Sequence, residues 1–226
     1  MHSILANAIE RLYHAFDRPA PRSVEGCDCC MSPAERDALL AKPLRELSAP
    51  ELESYAFSAV LTVGDGDDLR YFWPRLVELA LEGELVTDRE IVFAQPVYAE
   101  WRARWSAAEQ EAVEGLAHAI VEWMAEEELE PVDVDEWICA LGRLGGDVTR
   151  YLDPLLTPTT AAATNLRGFY EWNARDLRRG ELWNAFWEKE PGAAHLVAWF
   201  GRPDVGAAID RAYVLAPGPS ERESLS

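Results

Sequence analysis

Apolar side chains recur every three or four residues along most of the chain, which is the spacing of one buried face of an α-helix. Alternation with a period of two, typical of a strand, is confined to residues 90–94 and 213–215, and both segments also fit helix ends. The pattern therefore predicts an all-α protein of about nine to eleven helices. The clearest stripes are Ile9, Leu12, Tyr13 and Phe16; Leu52, Tyr55, Ala56 and Ala59; Leu69, Phe72, Leu76 and Leu79; Val113, Leu116, Ile120 and Met124; and Trp183, Phe186 and Trp187.

Helix starts are marked by a recurring polar pattern. A Ser, Thr or Asp is followed three residues later by Glu. The first side chain can accept a hydrogen bond from a free backbone N–H of the first turn, and the Glu carboxylate can accept one from the backbone N–H of the capping residue. Pro33, one residue after such a cap, occupies the favoured first helical position. We expect helices to begin at each of these pairs: Ser32 and Glu35, Ser48 and Glu51, Thr87 and Glu90, Ser106 and Glu109, and Asp133 and Glu136.

Two segments, residues 55–76 and 137–156, share one order of features. Each has a helix with aromatic residues, a Gly-Asp pair, and the sequence Arg-Tyr-x-x-Pro-x-Leu. The Gly-Asp pair should supply a turn and a cap, and the proline should kink or end the second helix. A repeated helix pair predicts antiparallel pairs stacked as a HEAT- or armadillo-like α-solenoid. If the similarity is coincidental, the alternative is an irregular helical bundle.

An acidic stretch at residues 126–131 lies between the two copies and indicates a helix end and a linker. We expect an N-terminal helical half at 1–125, a C-terminal half at 132–215 and a disordered tail at 216–226. The two halves should form one compact unit. No apolar run has the length of a membrane span and no signal-peptide pattern opens the chain, so a cytoplasmic location is expected.

The formal net charge of −19 shapes the choice of partners. A surface this negative repels the phosphate backbone of nucleic acids and anionic membranes, so neither is expected as a partner. It attracts proteins of basic character. The sequence also lacks the nucleophile elbow, phosphate-binding loop, dinucleotide fingerprint and zinc-protease helix, so no enzymatic activity and no catalytic residue is predicted.

The concentrated chemistry of the chain is the sequence Cys27-Asp28-Cys29-Cys30, which precedes the helix cap at Ser32. The Cys27 and Cys30 pair has the spacing that lets two thiolates close on one Zn²⁺ ion. Cys29 is a third donor, although we expect it to point away because neighbours in a tight loop rarely share a direction. His14, near in sequence, is a further candidate ligand. The sequence leaves two other interpretations open: thiols that only pack the loop, and thiols that exchange disulfides.

A second candidate site combines aromatic and basic residues near position 175. Trp172 is followed by Arg175, Arg178 and Arg179, a local positive charge on an acidic protein. Such a surface is suited to an anion or a protein partner. The alternative is an ordinary amphipathic helix with a charged outer face. The tryptophans elsewhere, among them Trp101 and Trp105, have the spacing of buried stripes.

Several stretches, given at the end of this paragraph, resemble a family of uncharacterised bacterial proteins that are all-helical and carry an N-terminal cysteine cluster. The resemblance covers the first half of the chain well and the second half loosely. It implies a compact helical protein and no particular activity. The function favoured by the sequence is a non-enzymatic protein-interaction role, as a scaffold or an inhibitor or immunity-type protein, and the alternative is a metal- or thiol-dependent role of the cysteines. The stretches that carry the resemblance are residues 25–30, 42–47, 55–57, 71–75 and 98–102.

Overall fold

The structure, a computed structural model, describes residues 1–188 and 190–215. In those residues the chain forms eleven α-helices and four 3-10 helices and contains no strand. Pairing of the strand type is limited there to two isolated bridges, Gly26 with Val63 and Ala59 with Val63. The predicted all-α class is confirmed, and both candidate strand segments lie in helices. Within the same residues, no helix is both long and apolar enough to cross a bilayer.

The chain divides into two compact units, residues 1–116 and the residues from 117 onward, and the division falls inside α7. The predicted boundaries near 125 and 132 remain predictions, and the predicted tail at 216–226 lies outside the described residues. The first unit contains α1 (Ser3–Ala15), α2 (Pro33–Leu39), a 3-10 helix (Leu44–Glu46), α3 (Ala49–Ser58), α4 (Gly66–Glu82), α5 (Arg89–Tyr98), α6 (Trp101–Arg104) and the beginning of α7 (Ala107–Glu126).

The second unit is built around α9, which packs against α8 and α11. Its aromatic core includes Trp187, whose ring lies so close to α8 that a Cβ on Gly142 would be 2.2 Å from it. Only glycine fits there. The elements are the end of α7, α8 (Pro131–Arg143), 3-10 helices at Val148–Tyr151, Asp153–Leu156 and Ala185–Trp187, α9 (Thr160–Leu177), α10 (Gly192–Phe200) and α11 (Pro203–Leu215).

The core of the first unit joins α1, α3, α4 and α5 through the predicted stripes, whose members are buried except for the half-buried Tyr13. Trp73 on α4 also supplies a hydrogen bond to a carbonyl group of α5 that lacks its usual partner within that helix. Pro96 lies inside α5 and has no N–H to offer the carbonyl of Val92, four residues earlier. The indole Nε1 of Trp73 donates to that carbonyl at 3.1 Å. The proline is therefore tolerated in a buried helix.

Three of the five predicted helix caps are confirmed. Ser32, Ser48 and Ser106 each stand directly before a helix and exchange hydrogen bonds with the Glu three residues on. Thr87 is not a cap, because Asp88 precedes α5 and the Thr87 backbone N–H donates to Glu53 instead, at 2.6 Å. Asp133 is not a cap either, because Pro131 already occupies the first turn of α8.

The internal repeat stays a prediction, and its two Gly-Asp pairs stand before helical elements of different kinds. Asp65 caps α4 by accepting from the N–H groups of residues 67 and 68, and Asp147 caps a 3-10 helix in the corresponding place. The elements that follow differ, since Pro74 lies inside the long α4 whereas Pro154 begins a separate short 3-10 helix. The stacking of a solenoid is therefore still a prediction. The expected stripe at 183–187 is wrong in part: Trp187 is buried, but Trp183 is exposed before a 3-10 turn.

Candidate metal centre

The cysteine turn, residues 27–30, is held at both ends by buried apolar side chains. Val24 precedes it and Met31 follows it, and both are buried. The Pro-rich segment before Val24 is anchored as well, because Arg18 donates to the carbonyl of Asp67 at 3.2 Å. An exposed stretch of polar and thiol side chains is thus fixed in place by its neighbours in the core.

A second loop, residues 58–64 between α3 and α4, lies alongside the cysteine turn. The N–H of Cys27 donates to the carbonyl of Thr62 at 2.9 Å, and the N–H of Gly64 donates to the carbonyl of Glu25 at 2.6 Å. The two backbones approach so closely that a Cβ on Gly26 would be 2.8 Å from the Cα of Val63. Gly26 is therefore required by this contact.

The cysteine turn itself winds once. The carbonyl of Cys27 accepts from the N–H groups of Cys30 at 3.0 Å and of Met31 at 3.1 Å. Arg36 on α2 braces the turn from outside, donating to the carbonyl of Met31 at 2.5 Å and to the carboxylate of Asp28 at 2.7 Å. Asp28 is thereby directed to Arg36.

All three sulfur atoms of the turn converge. The Sγ atoms of Cys27, Cys29 and Cys30 lie within 4.8 Å of one another. Cys27 and Cys29 are 2.7 Å apart, and Cys29 and Cys30 are 4.0 Å apart. The expectation that Cys29 points away is wrong, because the single tight turn carries its side chain back to the same edge as the other two. Cys27 and Cys29 are exposed and Cys30 is half-buried.

The contact between Cys27 and Cys29 shifts the pKa values of the two thiols in opposite directions. Sharing of the Cys29 thiol proton lowers the pKa of Cys27, with smaller contributions from Cys29 and Cys30 backbone and side-chain groups. The same contact with Cys27 is the main reason that the pKa of Cys29 rises to about 11. Of these two cysteines, Cys27 is therefore the first to form a thiolate, and thiolate is the form that binds metals and attacks disulfides.

The cluster fits a zinc ion after a small adjustment. Zinc lies about 2.3 Å from each thiolate, which places the sulfur atoms of a tetrahedral site about 3.8 Å apart. The 4.0 Å separation of Cys29 and Cys30 meets this, while the 2.7 Å separation of Cys27 and Cys29 must widen by about 1 Å. Both of those side chains are exposed, so no core packing opposes the movement.

A fourth protein ligand is absent from the group of metal-ligating side chains that the described residues form here. His14, predicted as a further ligand, is an exposed residue near the end of α1 and is not part of the group. Cys139 is buried in α8. An ion at this turn would have three sulfur ligands and one position open to another molecule.

The structure disperses the second predicted site. Arg178 donates to the carbonyl of Ala174 on its own helix, and Arg179 lies 3.7 Å from the carboxylate of Asp176. Trp172 is exposed and packs edge-on against Trp183, with ring centroids 4.9 Å apart. Trp172 and Trp183 therefore form an aromatic pair, but Arg178 and Arg179, two of the three predicted cations, interact with nearby groups of the same segment.

Sequence reasoning missed a buried carboxylate in the second unit. Asp135 on α8 is fully buried and accepts a hydrogen bond from the side chain of Asn173 at 2.7 Å. Burial raises the pKa of Asp135 to about 6, although hydrogen bonds from Asn173 and Asn184 act in the opposite direction. Asn173 also accepts from the N–H of Trp183 at 2.9 Å. The only sequence signal was an Asp four residues before Cys139 on a helix face that is otherwise apolar.

The chain matches no protein-family model, and neither a curated protein nor a solved structure is detectably similar to it. The resemblance to bacterial all-helical proteins with an N-terminal cysteine cluster therefore stays a prediction.

Proposed function

We propose that this protein binds a thiophilic metal ion, Zn²⁺ in the first place, through the thiolates of Cys27, Cys29 and Cys30. The observation that supports the proposal is the convergence of three accessible sulfur atoms within 4.8 Å of one another. Thiolates are preferred ligands of zinc and of other soft ions. A cysteine that only packs a core is placed differently, as in the case of the buried Cys139.

The open fourth position favours an exchangeable ion over a structural one. Structural zinc sites are closed by four protein ligands, whereas sites with three protein ligands leave room for water or another molecule. The described residues offer three ligands in this group. The fold around the turn is secured by Val24, Met31 and Arg36 without a metal ion, so loss of the ion need not unfold the chain. The proposed role is to hold an ion and present it.

The protein-interaction role favoured by the sequence is compatible with this proposal. A net charge of −19 attracts a basic protein, and a carrier of an exchangeable ion needs a partner. We place this activity in the cytoplasm, where thiols stay reduced and remain available to a metal.

Metal titration tests the proposal. We expect the reduced full-length chain, freed of metal by a chelator, to bind one Zn²⁺ ion in competition with a chromophoric chelator. Binding should weaken by at least about tenfold for each unit of pH lost below 8, since the high pKa of Cys29 means that at least one proton is displaced. The Cys139→Ser variant is the control and should bind normally. Less than about a tenth of an ion per chain, with all thiols reduced, would contradict the proposal.

The close approach of Cys27 and Cys29, at 2.7 Å, favours one second candidate, a reversible dithiol switch. In that case a mild oxidant would remove two electrons and two protons from the pair and form a disulfide. Mass spectrometry after oxidation and alkylation distinguishes the two functions. A Cys27 to Cys29 disulfide that forms as fast in the presence of saturating Zn²⁺ as in its absence would favour the switch over the metal site.

A further inference from the structure

Two exposed apolar side chains stand near the cysteine turn, one at the end of α3 and one on the loop that follows it. Phe57, in the last turn of α3, is 65% exposed, and Leu61 is 62% exposed. Leu61 directly precedes Thr62, the residue whose carbonyl accepts from the N–H of Cys27. Large apolar side chains exposed together next to a chemical site are typical of an interaction surface.

The backbone of the same loop is held in a costly conformation. Val60 has φ of +66°, a left-handed conformation that a β-branched residue rarely adopts. Its N–H donates to the carbonyl of Val63 at 3.0 Å, which closes the loop and leaves Leu61 at the tip. Strain of this kind persists at sites that bind or react more often than at structural turns.

Acidic groups lie near the contact between Glu25 and Gly64, where the N–H of Gly64 donates to the carbonyl of Glu25. Partial burial, followed by the negative charges of Asp65, Asp67 and Glu25, raises the pKa of Asp68 to about 6, against the effect of a backbone N–H of Asp65. These four carboxylates are therefore close enough to act on one another. The charge of Asp67 is compensated by Arg70 at 3.0 Å and by Arg18 at 3.5 Å, whereas Glu25 and Asp65 are exposed.

A cleft of about 360 Å³ opens beside these carboxylates. It is lined by the apolar Pro19, Pro21 and Tyr71 and by the carboxylates of Asp67 and Asp68. Arg18 lines it too, and its guanidinium lies 3.5 Å from the carboxylate of Asp67. Apolar walls that lead to carboxylates suit the aliphatic stem and charged head of a lysine or arginine side chain. Because Arg18 already occupies this position beside Asp67, the attraction of a basic partner comes from the exposed Glu25 and Asp65 and from the net charge of −19.

We propose that a basic protein docks on Phe57 and Leu61 and supplies the fourth ligand, a histidine nitrogen or a cysteine thiolate, to the ion held by the cysteine turn. The inference rests on the proposed metal binding and names the partner of that site. A histidine would displace a bound water, and a cysteine would also release its thiol proton to solvent. A second copy of the chain is disfavoured as the partner, because two chains that each have a net charge of −19 repel each other.

Selection from a random peptide library displayed on phage tests the inference with the full-length, zinc-loaded protein. We expect enrichment of peptides that combine lysine or arginine, an apolar residue, and a histidine or cysteine. Their affinity should fall at least tenfold for the double variant Phe57→Ser and Leu61→Ser, whose zinc affinity should stay within twofold of the parent. Val214→Ser, at another strongly exposed apolar position, is the matched control and should leave peptide affinity unchanged.

The possible results separate the two proposals. Absence of zinc binding overturns the proposed function and this inference together. Normal zinc binding with no enriched peptide, or with enriched peptides that bind the double variant or the metal-free protein equally well, overturns this inference alone. Enriched peptides that lack basic residues would also overturn it.

Discussion

The cysteine turn of the first unit and the end of α9 in the second unit both concentrate reactive residues within a few positions, and the structure treats them in opposite ways. In the turn, three sulfur atoms converge within 4.8 Å and stay accessible. At the end of α9, Arg178 and Arg179 turn to a backbone carbonyl and to a carboxylate nearby. A single turn of chain brings neighbours to one edge, whereas a helix rotates them by about 100° per residue.

The comparison has an energetic side as well. The cysteine turn is held in place by backbone hydrogen bonds and by the buried side chains of Val24 and Met31. The thiol groups therefore contribute little to the stability of the fold. Polar groups in the second unit, above all Asp135 and Asn173, are buried and hold loops to helices. Substitutions in the first region should therefore change binding, and substitutions in the second should change stability.

The largest expected effect is the loss of metal binding on substitution of the turn. We expect Cys27→Ser or Cys30→Ser to weaken zinc affinity by about a hundredfold or more, because a hydroxyl is a poor replacement for a thiolate ligand. The paired variants Trp172→Ala and Arg178→Ala should leave it unchanged. Competition titration measures both. Equal effects in the two regions would break the comparison.

Gly26→Ala should destabilise the first unit by about 2 kcal/mol, because the new Cβ would lie 2.8 Å from the Cα of Val63 and backbone must shift. The displaced turn should also bind zinc less tightly. Gly115→Ala on α7 is the matched control, since its Cβ meets nothing within 4 Å and a helical alanine should stabilise by up to about 1 kcal/mol. Urea denaturation gives the free energies of unfolding, and a neutral Gly26→Ala would show that the close approach is not needed.

Asp135→Asn should stabilise the chain in a pH-dependent way. The carboxyl of Asp135 has a folded pKa of about 6, above its ordinary value, so the folded state holds its proton more tightly than the unfolded state. Its contribution to stability is complete below about pH 4 and is lost as the pH rises through about 6. The variant avoids that loss, and we expect it to be more stable by about 2 kcal/mol at pH 8 and unchanged near pH 4.

Urea denaturation of parent and variant between pH 4 and pH 8 measures the effect of Asp135. The amide introduced by the substitution has the size of the carboxyl and keeps an oxygen to accept from Asn173. The part of the stability difference that varies with pH therefore reports the ionisation of Asp135. A difference in stability that does not vary with pH would contradict the assignment of a buried titrating carboxyl.

The smallest effect is expected at Val60. Asparagine tolerates the left-handed conformation better than valine, so Val60→Asn should stabilise the chain by up to about 1 kcal/mol. Val86→Asn, at a highly exposed valine without such a backbone, should change stability by less than about 0.5 kcal/mol. Thermal denaturation of the two variants makes the comparison. Equal changes in the stability of the two variants would show that the backbone at Val60 is not strained.

Local patterns predicted the helices well because apolar spacing and serine caps act within one or two turns. They failed where a distant group intervened. Thr87 was expected to cap α5, but Glu53, far away in sequence, accepts from its backbone N–H. Trp183 was assigned to a buried stripe, but the chain there forms a loop and a short 3-10 helix tied to Asn173.

The sequence predicted the three cysteines of the candidate site and the close approach of Cys27 and Cys30, but His14 is not part of the group and the direction of Cys29 was predicted wrongly. The spacing of Cys27 and Cys30 identified the turn, but the direction of Cys29 depends on hydrogen bonds to the carbonyl of Cys27 that no spacing rule specifies. Exposure of Phe57 had a signal in the sequence, since it falls outside the buried stripe of α3. The position of Leu61 beside the turn had none, because it follows from the contact of two loops.

The central claim is that three thiolates of one chain hold a single ion and leave one ligand position open. X-ray absorption spectroscopy of the zinc-loaded protein tests it most directly. We expect three sulfur atoms at about 2.3 Å and one lighter ligand atom at about 2.0 Å from the zinc, with one ion per chain. A shell of four sulfur atoms, or a shell of nitrogen and oxygen alone, would contradict the account.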